Sequence, residues 1–278
     1  IVTVNHASTE PIIPVEPSTP KIKDNEIRYT TIDENTIEPN ASANFGANIV
    51  SNVYKDGIGI ITFDANVTHI GQYAFNKSNT LTSVIIPNLA TTIDYRAFYE
   101  CTELTSVYIG ENMTNIGQEA FAYCNYLESI NFPNKLESIG NSAFEECNAL
   151  TEITLPNSLK SIGNSAFTSC DLLEKVNLGE GVTYIGWNAF DSCPKIKTIT
   201  IPDSVTKIGQ RAFNNCKTLE SVTIGNGTTL IEYRAFYGCV ELTTVHLGSK
   251  LVTIDNETFA DCNYLESINF PNKLESIG

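Results

Sequence analysis

The chain is short of the residues on which most protein chemistry depends. Among 278 residues it has 17 lysines and arginines against 32 aspartates and glutamates, three histidines, one methionine and one tryptophan. A net charge of −15 leaves no basic surface to neutralise phosphates, which excludes nucleic acid and anionic membrane surfaces as partners. The longest apolar stretch, Ile60-Ile61 followed after one threonine by Phe63, falls far short of the ~20 residues that cross a bilayer. Membrane insertion is therefore not expected. His6, His69 and His246 are too few and too dispersed for a Ser-His-Asp arrangement. No C-x-x-C pair occurs, and one ligand type at wide spacing cannot close a zinc tetrahedron. Gly179-Glu180-Gly181 and Gly225-Asn226-Gly227 lack the downstream Lys-Ser/Thr or third glycine of a phosphate loop. No catalytic, cofactor-binding or metal-binding residues are expected. The chain starts at Ile1 with no charged-then-apolar leader, so the expectation is that a targeting segment was never present or has been removed.

What the chain does have is a ruler. Cys101, Cys124, Cys147, Cys170, Cys193, Cys216, Cys239 and Cys262 follow one another at intervals of 23 residues without exception, which is the signature of a repeat array. In that frame nine complete units run from Ile58 to Tyr264 and a tenth, Leu265 to Gly278, stops after 14 residues. The pattern is L-x-x-[IV]-x-[ILF]-[PG]-x-x-x-x-x-I-[GDE]-x-x-A-F-x-x-C-x-x, as in the unit from Leu150 to Leu172. Apolar residues at positions 4 and 6 share one face of a short strand, and Pro or Gly at position 7 ends it. Successive units then pair as a parallel sheet with strands about 4.8 Å apart. Position 10 and the isoleucine at position 13 supply a second inward-facing segment, followed by a corner glycine in most units. Ala-Phe at positions 17 and 18 is predicted to sit in a helical or 3-10 turn, with Phe98, Phe121, Phe144, Phe167, Phe190, Phe213, Phe236 and Phe259 stacked in a buried column. The first unit has Ser78 where the others have cysteine, as terminal units of an array often depart from the pattern.

Ile139-Gly140-Asn141-Ser142-Ala143-Phe144-Glu145-Glu146-Cys147 resembles the BspA-like, or Treponema pallidum type, subclass of leucine-rich repeat, and the resemblance covers residues 58–278. It implies a right-handed β-rich solenoid with a parallel sheet on the concave face and short strands and turns on the convex side. It also implies a secreted or cell-surface protein, of the kind linked to adhesion, that engages host protein, glycan or neighbouring cells without catalysis. A structural spacer with no specific ligand is the alternative. A longer periodicity overlies the short one: Leu265–Gly278 repeats Leu127–Gly140 letter for letter, and Asp/Glu-Tyr-Arg-Ala-Phe-Tyr occurs at 94–99 and 232–237, both at six units' offset. A duplicated six-unit block explains both, and the natural protein is expected to continue past Gly278 through further units.

Residues 1–26 carry Pro11, Pro14, Pro17 and Pro20 at every third position, one edge of a polyproline II rod. They are expected to be an extended linker, a docking motif being the lesser reading. Ile27-Arg28-Tyr29-Thr30-Thr31-Ile32 and Ile49-Val50-Ser51-Asn52-Val53-Tyr54, the latter leading into Asp56-Gly57, read as strands and a hairpin turn. Residues 27–57 are therefore expected to form an N-terminal cap over the apolar end of the stack. Neighbouring rungs hold cysteines with parallel side chains too far apart for disulfide geometry, so buried unpaired thiols are expected. A ligand has two candidate surfaces. Position 5 of each strand points outward and reads Ile85, Tyr108, Asn131, Thr154, Asn177, Thr200, Thr223 and His246. The corner carries Tyr95, Arg96, Trp187, Tyr233 and Arg234, the residue types of binding anchors, which could equally cover edges between units.

Overall fold

The computed structural model describes residues 22–278. Pro11, Pro14, Pro17 and Pro20, on which the linker reading rests, lie outside the described residues, as does His6. Within them the chain winds into a β-solenoid of about nine turns with parallel sheets and no helix. Each complete coil gives a strand to each of two walls. On one wall, two-residue strands from His69–Ile70 to Ser276–Ile277 form a continuous ten-stranded sheet. Every isoleucine there pairs with the one 23 residues on, as Ile139 does with Ile162. On the other wall the strands are mostly longer and fall into three sheets of six, two and three strands, of which the six-stranded one lies at the cap; alternation sorts their side chains, so that Thr198 and Thr200 face out while Ile199 and Ile201 face in. Between the walls runs the phenylalanine column. Ring centroids lie 5.0 to 5.5 Å apart and neighbouring rings are within 14° of parallel, from Phe75 to Phe259.

The cap departs from the simple lid expected of it. We label β1 (Glu26–Thr31), β2 (Ile49–Lys55), β3 (Ile58–Phe63), β4 (His69–Ile70) and β5 (Leu81–Ile85). β1 pairs antiparallel with β3 on one side and with β5 on the other. The strands of the first two coils are thus separated by a strand from the cap, and the long-strand sheet begins in the order β2-β3-β1-β5. β1 can occupy this rung because its alternation matches that of the coils: Ile27, Tyr29 and Thr31 are buried while Arg28 and Thr30 face outward. Gly59 makes room, since a Cβ there would lie 2.1 Å from the ring of Tyr29, which pairs with it across the sheet. The Tyr29 hydroxyl then donates to Asn52 Oδ1 at 2.7 Å and ties β2 to the same core.

The Ala-Phe segment is also not the helical or 3-10 turn predicted. Each coil passes through consecutive tight turns with a left-handed residue at positions 16 and 20, for example Ser142 (φ 52°) and Glu146 (φ 56°). The physical reason is the ladder. Alternate N–H groups leave the coil and donate to the next one, Ser142 N to Asn164 O and Phe144 N to Ala166 O, both at 2.8 Å, while the residues between bond locally, as Ala143 N does to Gly140 O. A helix would direct all of these groups inward along its own axis and leave neighbouring coils unjoined.

Candidate functional site

The outward residues of the long-strand sheet differ from one end to the other. Near the cap, Ile85 and Tyr108 are half-buried in a shallow groove of about 490 Å³, which Ser83, Ser106, Ser129 and Asn131 also line. Partial burial, together with the nearby Glu111 carboxylate, raises the pKa of the Tyr108 phenol. The register of β1 sets Arg28 opposite Ile85 and Ile60 opposite Arg28, so these two residues join the same outward row. Arg28 is not visible in the 23-residue frame, because β1 lies outside it and enters antiparallel; Ile60 is position 3 of the first unit, and only the insertion of β1 brings it into this row. The alternating pattern of β1 signals a strand but not the rung that the strand takes. Thr30 Oγ1 lies 2.6 Å from both Thr82 Oγ1 and Ser83 Oγ, fastening the cap strand to this end of the groove.

Asn131 has another occupation. Position 7 of its coil is Pro133, which has no N–H to continue the ladder; in a later coil Gly225 N makes that bond to Ile201 O at 2.8 Å. Asn131 substitutes its side chain: Nδ2 donates to Ile109 O at 2.8 Å and Oδ1 accepts from Ile109 N at 2.6 Å. Its amide is therefore engaged by the adjacent strand. Beyond it Thr154, Asn177, Thr200, Thr223 and His246 are exposed and form a flat, polar face without an aromatic residue.

At the corner the structure gathers the sequence-predicted residues into two matching clusters. The Arg96 guanidinium lies 5.0 Å from the Tyr95 ring and 4.5 Å from that of Tyr99, and its Nε donates to Glu119 Oε2 at 2.6 Å. Six coils on, Arg234 lies 4.9 Å from Tyr233 and 4.7 Å from Tyr237 and donates to Glu257 Oε2 at 2.6 Å. The glutamate partners hold both arginines above their ordinary pKa. Each cation is already paired and stacked, so the clusters staple neighbouring coils. Trp187 serves similarly: its Nε1 donates to Glu232 Oε2 at 3.1 Å, across an intervening coil whose Gln210 N and Lys207 Nζ bond the same carboxylate. Glu232 stands where most units have the corner glycine, and that departure was the one available sign of the staple. The structure thus separates the two candidate surfaces instead of joining them.

All eight cysteines are free thiols, seven fully buried and Cys262 partly so. They are more than small hydrophobic side chains. Each Sγ donates to the phenylalanine carbonyl 26 residues earlier, from Cys101 to Phe75 O at 3.0 Å through Cys262 to Phe236 O at 3.3 Å. Such a carbonyl also accepts from its own coil, as Phe98 O does from Cys101 N, so both of its lone pairs are used. Ser78 needs no sulfur because no earlier coil offers such a carbonyl. Burial pushes the thiols of Cys124, Cys147, Cys170, Cys216 and Cys239 well up and that of Cys262 to about 11, which removes from these six the thiolate that reactivity requires. No group of three or more His, Cys, Asp and Glu among the described residues could hold a metal ion.

Comparison with known proteins follows from this architecture. The chain is similar to the T. pallidum leucine rich repeat protein, at 28% identity over 66% of this chain and 77% of that one, with a TM-score of 0.49. A leucine-rich repeat protein from Bacteroides ovatus ATCC 8483 is 26% identical over 82% of this chain and 75% of the other, with a TM-score of 0.51. A leucine rich cell surface protein from Faecalibacterium prausnitzii A2-165 is 25% identical over 81% and 75% of the two chains, with a TM-score of 0.44. Among curated proteins nothing matches. Residues 47–174, 91–216 and 183–278 match the BspA type leucine rich repeat region, and with that match spanning nearly all of the coils the chain belongs to this family of repeat proteins.

Proposed function

We propose that this chain is an extracellular or cell-surface binding module that engages protein or glycan on a host or neighbouring cell through the cap-proximal end of its long-strand sheet, and that it works by binding and not by catalysis. BspA-type repeat proteins are typically surface-associated and their fold is generally non-enzymatic, which supports the setting. The observation that carries the site is the contrast along one wall, between the six-stranded sheet nearest the cap and the two- and three-stranded sheets beyond it. Arg28, Ile60, Ile85 and Tyr108 are gathered at one end, over serine hydroxyls, while Thr154 to Thr223 form a plain polar face. Half-buried aromatic and aliphatic groups are what a binding hot spot uses, and Tyr108 offers both an apolar face and a hydrogen-bonding tip; Arg28 beside them is held by Glu26 at 3.1 Å and serves as a fixed wall of the groove.

Immobilised matrix proteins and mucin glycans provide the test. At least one should bind saturably and more tightly than about millimolar, and Tyr108→Ala with Ile85→Ser should abolish that binding while the thermal midpoint holds. The exposed threonine face favours a second reading, a spacer that sets distance and has no ligand. Absence of saturable binding across the panel would establish the spacer instead.

A further inference from the structure

The hairpin of β2 and β3 presents a feature that solenoid packing does not use. β3 pairs with one edge of β2; the other edge has no strand partner among the described residues. It is long for an edge strand, seven residues, and apolar. Ile49 is 42%, Val50 61% and Val53 55% exposed. On a chain of net charge −15, β2 contains no acidic residue and a single charge, Lys55. Natural proteins usually blunt such an edge with charge, proline, a bulge or a covering element; here the bulge between Ile49 and Ser51 and the charge of Lys55 stand at the two ends, and Asn52–Tyr54 between them have no strand partner on that side.

The edge is also held rigid. Asn52 accepts from the Tyr29 hydroxyl and donates to Ile37 O at 2.6 Å, and the Tyr54 hydroxyl accepts from Thr31 N and donates to Gly57 O at 3.1 Å. The Asp56-Gly57 turn, left-handed at both residues (φ 52° and 79°), closes the hairpin on the pair Lys55 and Ile58. Alternation then turns the backbone groups of Lys55 and Val53 toward β3, and those of Tyr54 and Asn52 outward.

We infer that β2 is a self-association edge, and that its occupant is β2 of a second copy of this chain, antiparallel about a two-fold axis at Val53. In that register Asn52 of each copy faces Tyr54 of the other, and the outward groups of both residues exchange hydrogen bonds in pairs. Val53 meets Val53 in the closely spaced non-bonded position, where apolar pairs contribute most. The strand is thus complementary to itself, as an isologous interface demands, and the contact uses the β2 edge of both copies, so through this edge two chains join and no more. The long-strand sheets of the copies join through β2, and two cap-proximal grooves are presented together, which raises avidity for any repetitive partner.

The experiment uses the full chain. Sedimentation equilibrium should show the 30.5 kDa chain doubling in mass with concentration. Added salt should strengthen the dimer, since it screens the repulsion between two acidic copies. Val53→Lys sets like charges across the axis and should weaken the dimer at least about tenfold, with the thermal midpoint of the monomer unchanged. On mild oxidation Val53→Cys should give a disulfide-linked dimer, because the axis brings that residue against itself within disulfide reach. Ser51→Cys, whose opposite residue is Lys55, should not. A chain that stays monomeric up to about millimolar, one that captures added extended peptides while remaining monomeric, or equal cross-linking at 51 and 53 would overturn the inference. None of these readouts depends on whether the groove binds a ligand.

Discussion

Cys147 illustrates how much a single side chain contributes here. Its Sγ donates to Phe121 O at 3.3 Å, in an interior where an unmade bond costs about 1–3 kcal/mol. Cys147→Ala should lower stability by about that amount plus the small cavity it leaves, whereas Cys147→Ser keeps a donor and should lose less; denaturant midpoints of the two variants check the order. The same burial makes stability depend on alkaline pH. An ordinary thiol ionises near 9.0, while Cys262 in the folded chain reaches about 11 and Cys147 lies higher. The unfolded chain therefore releases protons first, so the thiol contribution is complete below about 9 and is lost as pH rises through the folded values. Urea midpoints should fall between pH 8 and pH 10 by more than in a variant with several cysteines replaced by serine. A thiol reagent should reach the seven buried cysteines only after denaturation. At Ser142 the constraint is conformational. Its φ of 52° disfavours a β-branched side chain, and Ser142→Val should cost about 1–2 kcal/mol by the same measurement.

At the scale of elements, the corner staple offers a clean optical test. Trp187 is the single tryptophan, 48% exposed, and its indole N–H reaches Glu232 across one coil. Glu232→Ala should release it: the emission maximum moves to the red and quencher access rises, with some loss of stability because Gln210 N and Lys207 lose the same carboxylate. An unshifted emission would mean that the indole is positioned by packing alone. The cap strand has the opposite character. Gly59→Ala drives a methyl group into the Tyr29 ring, 2.1 Å from the nearest carbon, and the ring cannot move without breaking its bonds to Asn52 and Ile37. β1 should lose its place between β3 and β5, read as fast amide exchange over Glu26–Thr31 while exchange in the central coils stays slow.

For the whole molecule, the stack is held by neighbour-to-neighbour contacts, so stability is close to a sum along one dimension. Phe167 lies midway in the column, stacked on Phe144 and Phe190 at 5.1 and 5.3 Å. Phe167→Ala should cost about 3–5 kcal/mol and divide the array, so that a single unfolding transition becomes two; a cooperative single transition would show that the coils communicate over longer range. The 23-residue interval was enough to read off the coils, the inward isoleucines, the phenylalanine column and the buried cysteines, because a repeat that stacks on itself must set the same residue in the same place each time. That logic reaches only what recurs. The insertion of β1, the arrival of Arg28 beside Ile85, the engagement of Asn131 by Ile109 and the reach of Trp187 to Glu232 each join residues outside a common frame or in different coils. The left-handed residues at positions 16 and 20 carry no mark in residue type, since serine, glutamate and arginine all occupy them. The amino-acid sequence by itself therefore determined the coil and its interior, through local periodicity. Which outward side chains meet, and which strand edge stays open, was decided only when the chain closed on itself, since those contacts depend on rung order and strand direction.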